Sequence, residues 1–281
     1  MNIPKYWAKE KTSGKDPYGR PLEIAAWGWS STSEEEARQV SRERAQKIFA
    51  KGFERRKDPF YDYGETPLRE EVLDRYHDDD EEYAVLTRNR YGALVLNTAK
   101  TFFLDIDFPP IEAKGVLDFV LTAFSRHRRA QRENDRQKPA LAMVREWFRQ
   151  NPGRSARIYR TKAGLRLLFT DRTYDPEEET VPKTFEGLDA DPLYQQLTKN
   201  QKIFRARVSP KPWRIALSRL PGENSGIRER AEWMKKYHDR SSEFSVVQYL
   251  ETIGSEPADP RIAQVVRLHD SLAMTQGKPL A

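Results

Sequence analysis

Two aspartates, Asp105 and Asp107, alternate with apolar residues in the segment 101–108, which reads TFFLDIDF. Successive side chains of a strand point to opposite faces, so this pattern predicts a strand with one buried face and both carboxylates on the other. Carboxylates about 7 Å apart repel each other unless a cation or basic groups offset their charge. Hard divalent cations prefer such oxygen ligands, and two-metal phosphoryl-transfer sites use them. The pair therefore predicts a Mg²⁺ or Mn²⁺ site in which both aspartates are metal ligands and catalytic residues. The alternative is a strand with one solvated face.

Arginines on two further predicted strands favour a phosphate-bearing ligand. Arg166 lies in the strand predicted for residues 165–170. Arg205 and Arg207 share one face of the strand predicted for residues 204–208. If these strands join the aspartate strand in one sheet, its open face carries two acids flanked by arginines, as a metal-bound triphosphate requires. The alternative is that the arginines form salt bridges with the two aspartates or face solvent.

Two more basic residues complete the predicted phosphate-binding set. Lys162 lies in the turn of a predicted hairpin, and Arg214 follows the proline-flanked segment 209–212. The predicted set is Lys162, Arg166, Arg205, Arg207 and Arg214. A net charge of +6, with basic residues concentrated in 126–138 and 154–219, also favours a nucleoside triphosphate or nucleic acid as the partner.

The composition excludes several other classes of site. The chain has no cysteine, which removes disulfides, thiolate nucleophiles and cysteine–zinc sites. It lacks the Walker phosphate loop, the G-x-S-x-G elbow and the dinucleotide G-x-G-x-x-G, so P-loop NTPase, serine hydrolase and Rossmann functions are disfavoured. No run approaches the roughly 18 apolar residues that cross a membrane, and the opening residues do not form a signal peptide. We therefore expect a cytoplasmic protein without a membrane partner.

The order of predicted elements indicates an α+β fold with mostly antiparallel, RRM-like sheets and helices packed against them. We expect a single α+β domain over residues 1–281, with 1–80 as a possible N-terminal elaboration. Ser33 and Glu36 form a capping box that predicts a helix start after two N-terminal strands. Trp27 and Trp29 are predicted to pack in a core or interface, with base stacking as the alternative.

Residues 83–87, 92–98 and 101–108 are predicted to form an antiparallel meander, because tight turns connect these β-type runs. The other predicted strands are 3–9, 23–29, 157–161, 165–170, 204–208, 213–218 and 244–250. The predicted helices are a short one at 68–76 and longer ones at 111–128, 141–150, 191–199, 227–238 and 258–274. Residues 56–68 are predicted to be irregular, and 126–138 to be a solvated helix extension or a mobile basic arm.

Two segments together resemble motifs of the archaeo-eukaryotic primase superfamily. Residues 104–109, LDIDFP, are similar to its first motif, in which a strand-borne D-x-D binds divalent metal, particularly in the polymerase domains of bacterial end-joining ligases. Residues 161–167, TKAGLRL, are similar to its second motif, a hairpin ending in G-L-H that holds nucleotide phosphates. Residues 208–221 are similar to the region of its third motif. The resemblance implies a primase-polymerase-like core over residues 83–221.

The chain departs from this family at two positions. Arg166 stands where the second motif has histidine, although an arginine can still hold phosphate bidentately. Arg207 stands about where the third-motif acid belongs, and Asp171 and Glu223, the possible substitutes, lie in non-matching contexts. The resemblance implies a divalent-metal-dependent nucleotidyltransferase or related phosphoryl-transfer enzyme acting on nucleotides or nucleic acid. The alternatives are a catalytically inactive primase-like protein that binds nucleotides or nucleic acid, and a structural or interaction protein. The oligomeric state does not follow from the sequence.

Overall fold

The computed structural model describes residues 1, 3–15, 18–51, 67, 69–79, 81–108, 126–190, 192–222 and 225–281. The chain divides into two compact units, residues 1–72 and residues 73–281. Antiparallel sheets and packed helices make up an α+β architecture, as predicted. Among the described residues, no helix combines the length and the apolar character needed to span a bilayer.

The first unit consists of a β-hairpin followed by a helix. Strand β1 (Tyr6–Lys15) pairs antiparallel with β2 (Pro21–Ser30), and helix α1 (Glu34–Lys51) follows. The backbone N–H of Glu36 donates to Ser33 Oγ at 3.2 Å, which confirms the predicted N-cap. Three consecutive glutamates in the first turn of α1 also favour a helix start here, because they complement the helix dipole.

Helix α1 rests directly on the backbone of β2. A Cβ added at Gly28 would lie 2.0 Å from the carbonyl oxygen of Ala37. Ser41 Oγ donates to the carbonyl oxygen of Ala26 at 2.9 Å. The small residues of the AAWG segment therefore let the helix approach the hairpin closely.

The tryptophans of the hairpin form a cluster with arginine. The ring centroid of Trp7 lies 5.7 Å from that of Trp29 and 6.5 Å from that of Trp27. The guanidinium carbon of Arg44 lies 4.4 Å from the centre of the Trp29 ring, and that of Arg69 lies 3.8 Å from Trp27. Guanidinium groups thus pack on the rings, which favours the packing interpretation of Trp27 and Trp29 over base stacking.

The second unit contains two four-stranded sheets. Its strands are β3 (Glu71–Asp78), which begins at the boundary of the units, β4 (Glu81–Arg88), β5 (Leu94–Thr98), β6 (Phe103–Asp107), β7 (Ala156–Thr161), β8 (Gly164–Phe169), β9 (Phe204–Arg207) and β10 (Val247–Ile253). The first sheet has the order β10-β7-β8-β6, and the second sheet has the order β3-β4-β5-β9. Strand β6 is therefore an edge of the first sheet, and β9 is an edge of the second.

The helices of the second unit are α2 (Arg126–Gln150), α3 (Thr180–Gly187), α4 (Pro192–Gln201), α5 (Ile227–Ser241) and α6 (Pro260–Ala273), with a 3₁₀ turn at Pro212–Ile215. An aromatic core joins the two sheets. The ring of Phe102 lies 4.7 Å from Phe169 and 4.8 Å from Phe204, and Phe185 of α3 packs at 5.4 Å. The apolar alternation around β6 is buried, as predicted.

Tyr194 of α4 links the facing edges of the two sheets. Its Oη lies 3.1 Å from the carbonyl oxygen of Phe103 on β6 and 2.7 Å from that of Arg205 on β9. The same oxygen accepts the backbone N–H of Arg205 at 2.9 Å. Burial raises the pKa of Tyr194 above its ordinary value, so the hydroxyl stays protonated and able to donate. One side chain therefore holds β9 beside the aspartate strand.

The predicted central meander is wrong at its third strand. Strands β4 and β5 pair antiparallel, but β5 then pairs with β9, while β6 pairs with β8 in the other sheet. Short connections favour pairing between strands that are neighbours in sequence. Here Phe102, which lies between β5 and β6, is buried among the rings of the aromatic core, and the two strands belong to different sheets. The β7–β8 hairpin, the strand at β9 and the elements β10, α4, α5 and α6 are confirmed within a few residues.

Two other predictions fail because tertiary pairing and proline override local pattern. Residues 68–76, predicted as helix, belong largely to β3, which is held beside β4. Residues 213–218, predicted as strand, begin instead in the 3₁₀ turn, because Pro212 lacks an N–H donor and fits its first position. Helix α3 was not predicted.

Several predictions fall outside the described residues. The helix predicted for 111–128 and the irregular segment 56–68 lie almost entirely there. The basic segment 126–138 is helical, since α2 runs without interruption from it into the helix predicted for 141–150.

A close approach at Gly164 sets the spacing of β6 and β8. Gly164 is the cross-strand partner of Asp107, and an added Cβ would lie 1.9 Å from the carbonyl oxygen of Ile106. Gly164→Ala should lower the free energy of unfolding by about 1–3 kcal/mol or more, because backbone must shift to admit the methyl group. Urea denaturation followed by circular dichroism measures this. Gly222→Ala is the control, since its Cβ would meet no atom of the described residues within 4 Å. Equal midpoints for the two variants would contradict the prediction.

Candidate functional site

The site is built around a buried ion pair between Asp105 and Arg166, which are cross-strand partners on β6 and β8. Arg166 Nε donates to Oδ1 of Asp105 at 2.7 Å, and Nη2 donates to Oδ2 at 2.9 Å. The Arg166 side chain is 1% exposed, whereas that of Asp105 is 39% exposed. Burial opposes ionisation of Asp105, but the charge and hydrogen bonds of Arg166 outweigh it and hold the pKa of the carboxyl below its ordinary value.

The remaining nitrogen of the Arg166 guanidinium faces two other elements. Nη1 donates to the carbonyl oxygen of Arg207 on β9 at 2.8 Å and lies 3.4 Å from His269 Nε2 on α6. Burial and the charge of Arg166 lower the pKa of His269, although Asp270 opposes them. A neutral imidazole with its proton on Nδ1 fits these contacts, because Nδ1 lies 3.0 Å from Asp270 Oδ1. Arg166 therefore connects three elements.

The buried ion pair continues toward the surface through alternating charges. Asp270 pairs with Arg157 Nη2 at 3.2 Å, and Arg157 Nη1 pairs with Glu256 at 3.1 Å. Arg157 Nε also donates to Tyr159 Oη at 2.9 Å. Each buried charge of this network thus has an opposite charge or a hydrogen-bond partner, as burial of ionic groups requires.

The face predicted to be open around Arg166 is closed. All six residues of β8 are buried, and α6 packs His269 against Phe103 and Tyr159 at ring distances of 5.4 Å and 4.9 Å. The alternative interpretation, a salt bridge between an arginine and an aspartate, therefore describes Arg166. Both oxygens of its aspartate partner are engaged, whereas Asp107, farther along β6, is exposed.

The structure also locates the other predicted site residues. Lys162 is exposed in the β7–β8 turn, and Arg205 is half-buried on β9. Within the described ranges, no group of three or more histidine, aspartate or glutamate side chains is arranged to hold a metal ion. The metal-binding role of Asp105 and Asp107 stays a prediction.

Three half-buried cations, Arg207, Lys211 and Arg214, lie beside the two aspartates; we call them the basic cluster. Burial and the charges of Arg166 and Arg214 lower the pKa of Arg207 to about 10. Burial and the charges of Arg207 and Arg214 lower the pKa of Lys211. Burial lowers the pKa of Arg214, with the charge of Asp107 opposing it. The cationic forms are therefore held at an energetic cost.

Hydrogen bonds fix the backbone that carries the basic cluster. Ser209 Oγ accepts the backbone N–H of Leu94 at 2.7 Å and lies 2.5 Å from Tyr237 Oη, which donates to the carbonyl oxygen of Pro210 at 2.6 Å. Arg207 Nη1 donates to the carbonyl oxygen of Ser209 at 3.0 Å. Two prolines further restrict the chain on either side of Lys211. The cations are thus positioned by a rigid segment.

Arg214 has spare hydrogen-bonding capacity at this site. Its Nη1 atom is buried and makes no hydrogen bond to any residue that the structure describes. Buried guanidinium nitrogens normally have partners, because an unmade hydrogen bond of a charged group costs free energy. An acceptor supplied by a ligand would satisfy this nitrogen.

An aromatic pair, Tyr91 and Trp213, adjoins the basic cluster. Their ring centroids lie 5.1 Å apart with an interplanar angle of 62°, and Trp213 is 47% exposed. The backbone N–H of Leu220 donates to the carbonyl oxygen of Tyr91 at 3.1 Å and holds the two loops together. Lys211 and both aromatic residues are absent from the set of site residues predicted from the sequence. The string KPWR at 211–214, which alternates basic and rigid or aromatic residues, was the available signal.

The chain matches no protein-family model, no curated protein and no solved structure. The resemblance of residues 104–109 and 161–167 to primase motifs therefore stays a prediction.

Breaking the buried ion pair should destabilise the protein. Asp105→Asn should lower the free energy of unfolding by about 1–3 kcal/mol, since it leaves the Arg166 cation buried without its counter-charge, while solvent screens part of the interaction at the 39% exposed carboxylate. The double variant Asp105→Asn/Arg166→Met should recover part of this loss. Because the pKa of Asp105 is lowered, its stabilising effect is present above about pH 4 and is lost as the pH falls through the lowered value.

Urea denaturation at pH 7 and over a series of acidic pH values measures these effects. Asp107→Asn is the control, because this residue is exposed on the same strand. If the Asp105 and Asp107 variants lose the same stability at pH 7, the ion pair does not have the structural role described.

Proposed function

We propose that this protein binds phosphate-bearing ligands, either nucleotides or nucleic acid, at the basic cluster. The observation that carries the proposal is the grouping of three half-buried cations on a backbone segment fixed by hydrogen bonds, with Arg214 Nη1 buried and without a hydrogen-bond partner among the described residues. An anion bound between these cations would offset their mutual repulsion. Arginine offers two parallel donors to phosphate oxygens, and lysine adds a compact charge.

The local charge balance supports an anionic ligand. Among the described residues, Asp107 acts electrostatically on Lys211 and Arg214, and Asp105 acts on Arg207 and Lys211. The Asp105 charge is already paired with Arg166. The excess of positive charge, in a chain of net charge +6, favours phosphate over a cationic or neutral ligand.

Binding without catalysis is the function that this geometry supports best. The position expected for a third catalytic acid carries Arg207, and the Asp105 carboxylate accepts both of its hydrogen bonds from Arg166. A catalytically inactive, primase-like binding protein accommodates both features, and the primase-like nature of the scaffold is part of this proposal. A purely structural protein would account for the buried ion pair but not for clustered, half-buried cations.

Removing one cation of the basic cluster should weaken binding. Arg214→Gln should lower the affinity for a fluorescent oligonucleotide about tenfold and reduce the magnitude of the slope of log K against log salt by about 1, as expected for one lost phosphate contact. Fluorescence anisotropy over a series of salt concentrations measures both quantities. The matched control is Arg228→Gln, because this arginine is 93% exposed on α5.

The two variants separate a specific site from general attraction. Equal losses of affinity in Arg214→Gln and Arg228→Gln would show that only the net charge of the protein matters. Tight binding that does not respond to salt would also contradict phosphate recognition, since released counterions make such binding salt-dependent.

Metal-dependent nucleotidyl transfer is the second candidate function. It is favoured by the exposed Asp107, which lies on the same face of β6 as Asp105 and acts electrostatically on Lys211 and Arg214. Mg²⁺ or Mn²⁺ held by both aspartates would compete with Arg166 for the oxygens of Asp105. Calorimetric titration with a nucleoside triphosphate should then show Mn²⁺-dependent binding that Asp107→Asn abolishes. Binding that is indifferent to Mn²⁺ would reject this candidate and leave the first one standing.

A further inference from the structure

Trp213 is exposed, whereas the other apolar residues of the 3₁₀ turn that carries it are buried. In the 3₁₀ turn, Pro212 and Ile215 are buried, and Ile215 packs in a small core with Trp233 and Tyr237. Trp213 points away from this core and keeps 47% of its surface exposed. A solvent-exposed tryptophan on a rigid, cationic surface is typical of a recognition site. Its large ring contributes contact area, and ordering it on binding costs little side-chain entropy.

Two cations, Lys211 and Arg219, lie near the Trp213 ring but do not stack closely on it. Lys211 Nζ lies 5.7 Å from the Trp213 ring, and the guanidinium carbon of Arg219 lies 5.5 Å from it. An exposed cation–π contact contributes only about 0.5–1 kcal/mol, and these distances approach its limit of about 6 Å. Stacking of a nucleic-acid base on an aromatic ring contributes about 1–3 kcal/mol. A base can therefore displace these cations from the ring, which leaves them free for the adjoining phosphates.

The N-terminal tryptophans differ from Trp213 in this respect. The guanidinium groups of Arg44 and Arg69 lie only 4.4 Å and 3.8 Å from the centres of the Trp29 and Trp27 rings. Those two rings already have close stacking partners. The exposed ring beside the basic cluster is thus the better stacking surface.

We infer that the ligand of this site is a single-stranded nucleic acid, one base of which stacks on Trp213 while the basic cluster and Arg219 bind the adjoining phosphates. The inference rests on the proposed phosphate-binding function and adds the class of ligand. In a duplex the faces of the bases are hidden within the stack, and inorganic polyphosphate has no base. An unpaired strand presents an aromatic face with phosphates on both sides of it, whereas a nucleoside triphosphate carries its phosphates on the 5′ side only.

Anisotropy titrations with four probes test this. The probes are a labelled pyrimidine oligonucleotide as DNA, the same sequence as RNA, its DNA duplex, and inorganic polyphosphate as an unlabelled competitor. The proteins are the wild type and the variants Trp213→Ala, Trp213→Phe, Arg214→Gln and Tyr18→Ala. Tyr18 is the control, since it is an exposed aromatic residue beside an arginine, with the guanidinium carbon of Arg20 at 5.3 Å from its ring.

Both single strands should bind the wild type more tightly than the duplex does. Trp213→Ala should weaken single-strand binding about fivefold or more, while Trp213→Phe and Tyr18→Ala should retain most of it. Polyphosphate binding should respond to Arg214→Gln but not to Trp213→Ala. The relative affinities of the DNA and RNA probes identify which of the two the site prefers.

Two results would overturn the inference, and they differ in whether phosphate binding at the basic cluster remains supported. Duplex binding as tight as single-strand binding, or an unchanged affinity in Trp213→Ala with a loss in Arg214→Gln, would reject base stacking and keep the phosphate site. Failure of the wild type to bind any of the four probes would reject nucleic-acid binding and the inference with it, and would leave of the proposed function only nucleotide binding, which the calorimetric titration with a nucleoside triphosphate tests.

Discussion

The bidentate contact between Asp105 and Arg166 is the constraint on which the centre of the second unit depends. Burial opposes the charge of Arg166, but Asp105 outweighs it and raises the pKa of this arginine, which therefore stays charged and must be supplied with acceptors. Asp105 supplies them from β6, the carbonyl of Arg207 supplies one from β9, and His269 of α6 closes the remaining side. One side chain therefore determines where two sheet edges and a helix meet.

The local features of the fold could be predicted from the sequence. The alternation around Asp105, the cap at Ser33 and the hairpin of β7 and β8 each depend on residues within about one element of each other, where strand period and capping chemistry apply. The same local patterns predict that the two aspartates and nearby arginines form one charged site. The structure connects five of them electrostatically, namely Asp105, Asp107, Arg166, Arg207 and Arg214, and their role as a site stays a prediction.

The remaining features depend on contacts between distant parts of the chain. Whether Arg166 faces solvent is decided by His269, which lies 103 positions later and belongs to a helix with no pattern that reveals its packing partner. The position of β9 beside β6 of the other sheet depends on Tyr194, whose hydroxyl reaches a carbonyl 91 positions earlier. The exposure of Trp213 depends on a turn that proline imposes where alternation suggested a strand.

The basic cluster links the stability of this protein to its proposed function. Arg207 contributes to the fold through its carbonyl, which accepts from Arg166, while its guanidinium group is held in a charged state that its surroundings disfavour. Evolution toward maximal stability would replace such a residue with an uncharged one. Under the proposed function, an anion that binds this guanidinium group in the folded protein alone would stabilise the folded state by mass action. Ligand occupancy and resistance to unfolding would then be two measures of one equilibrium.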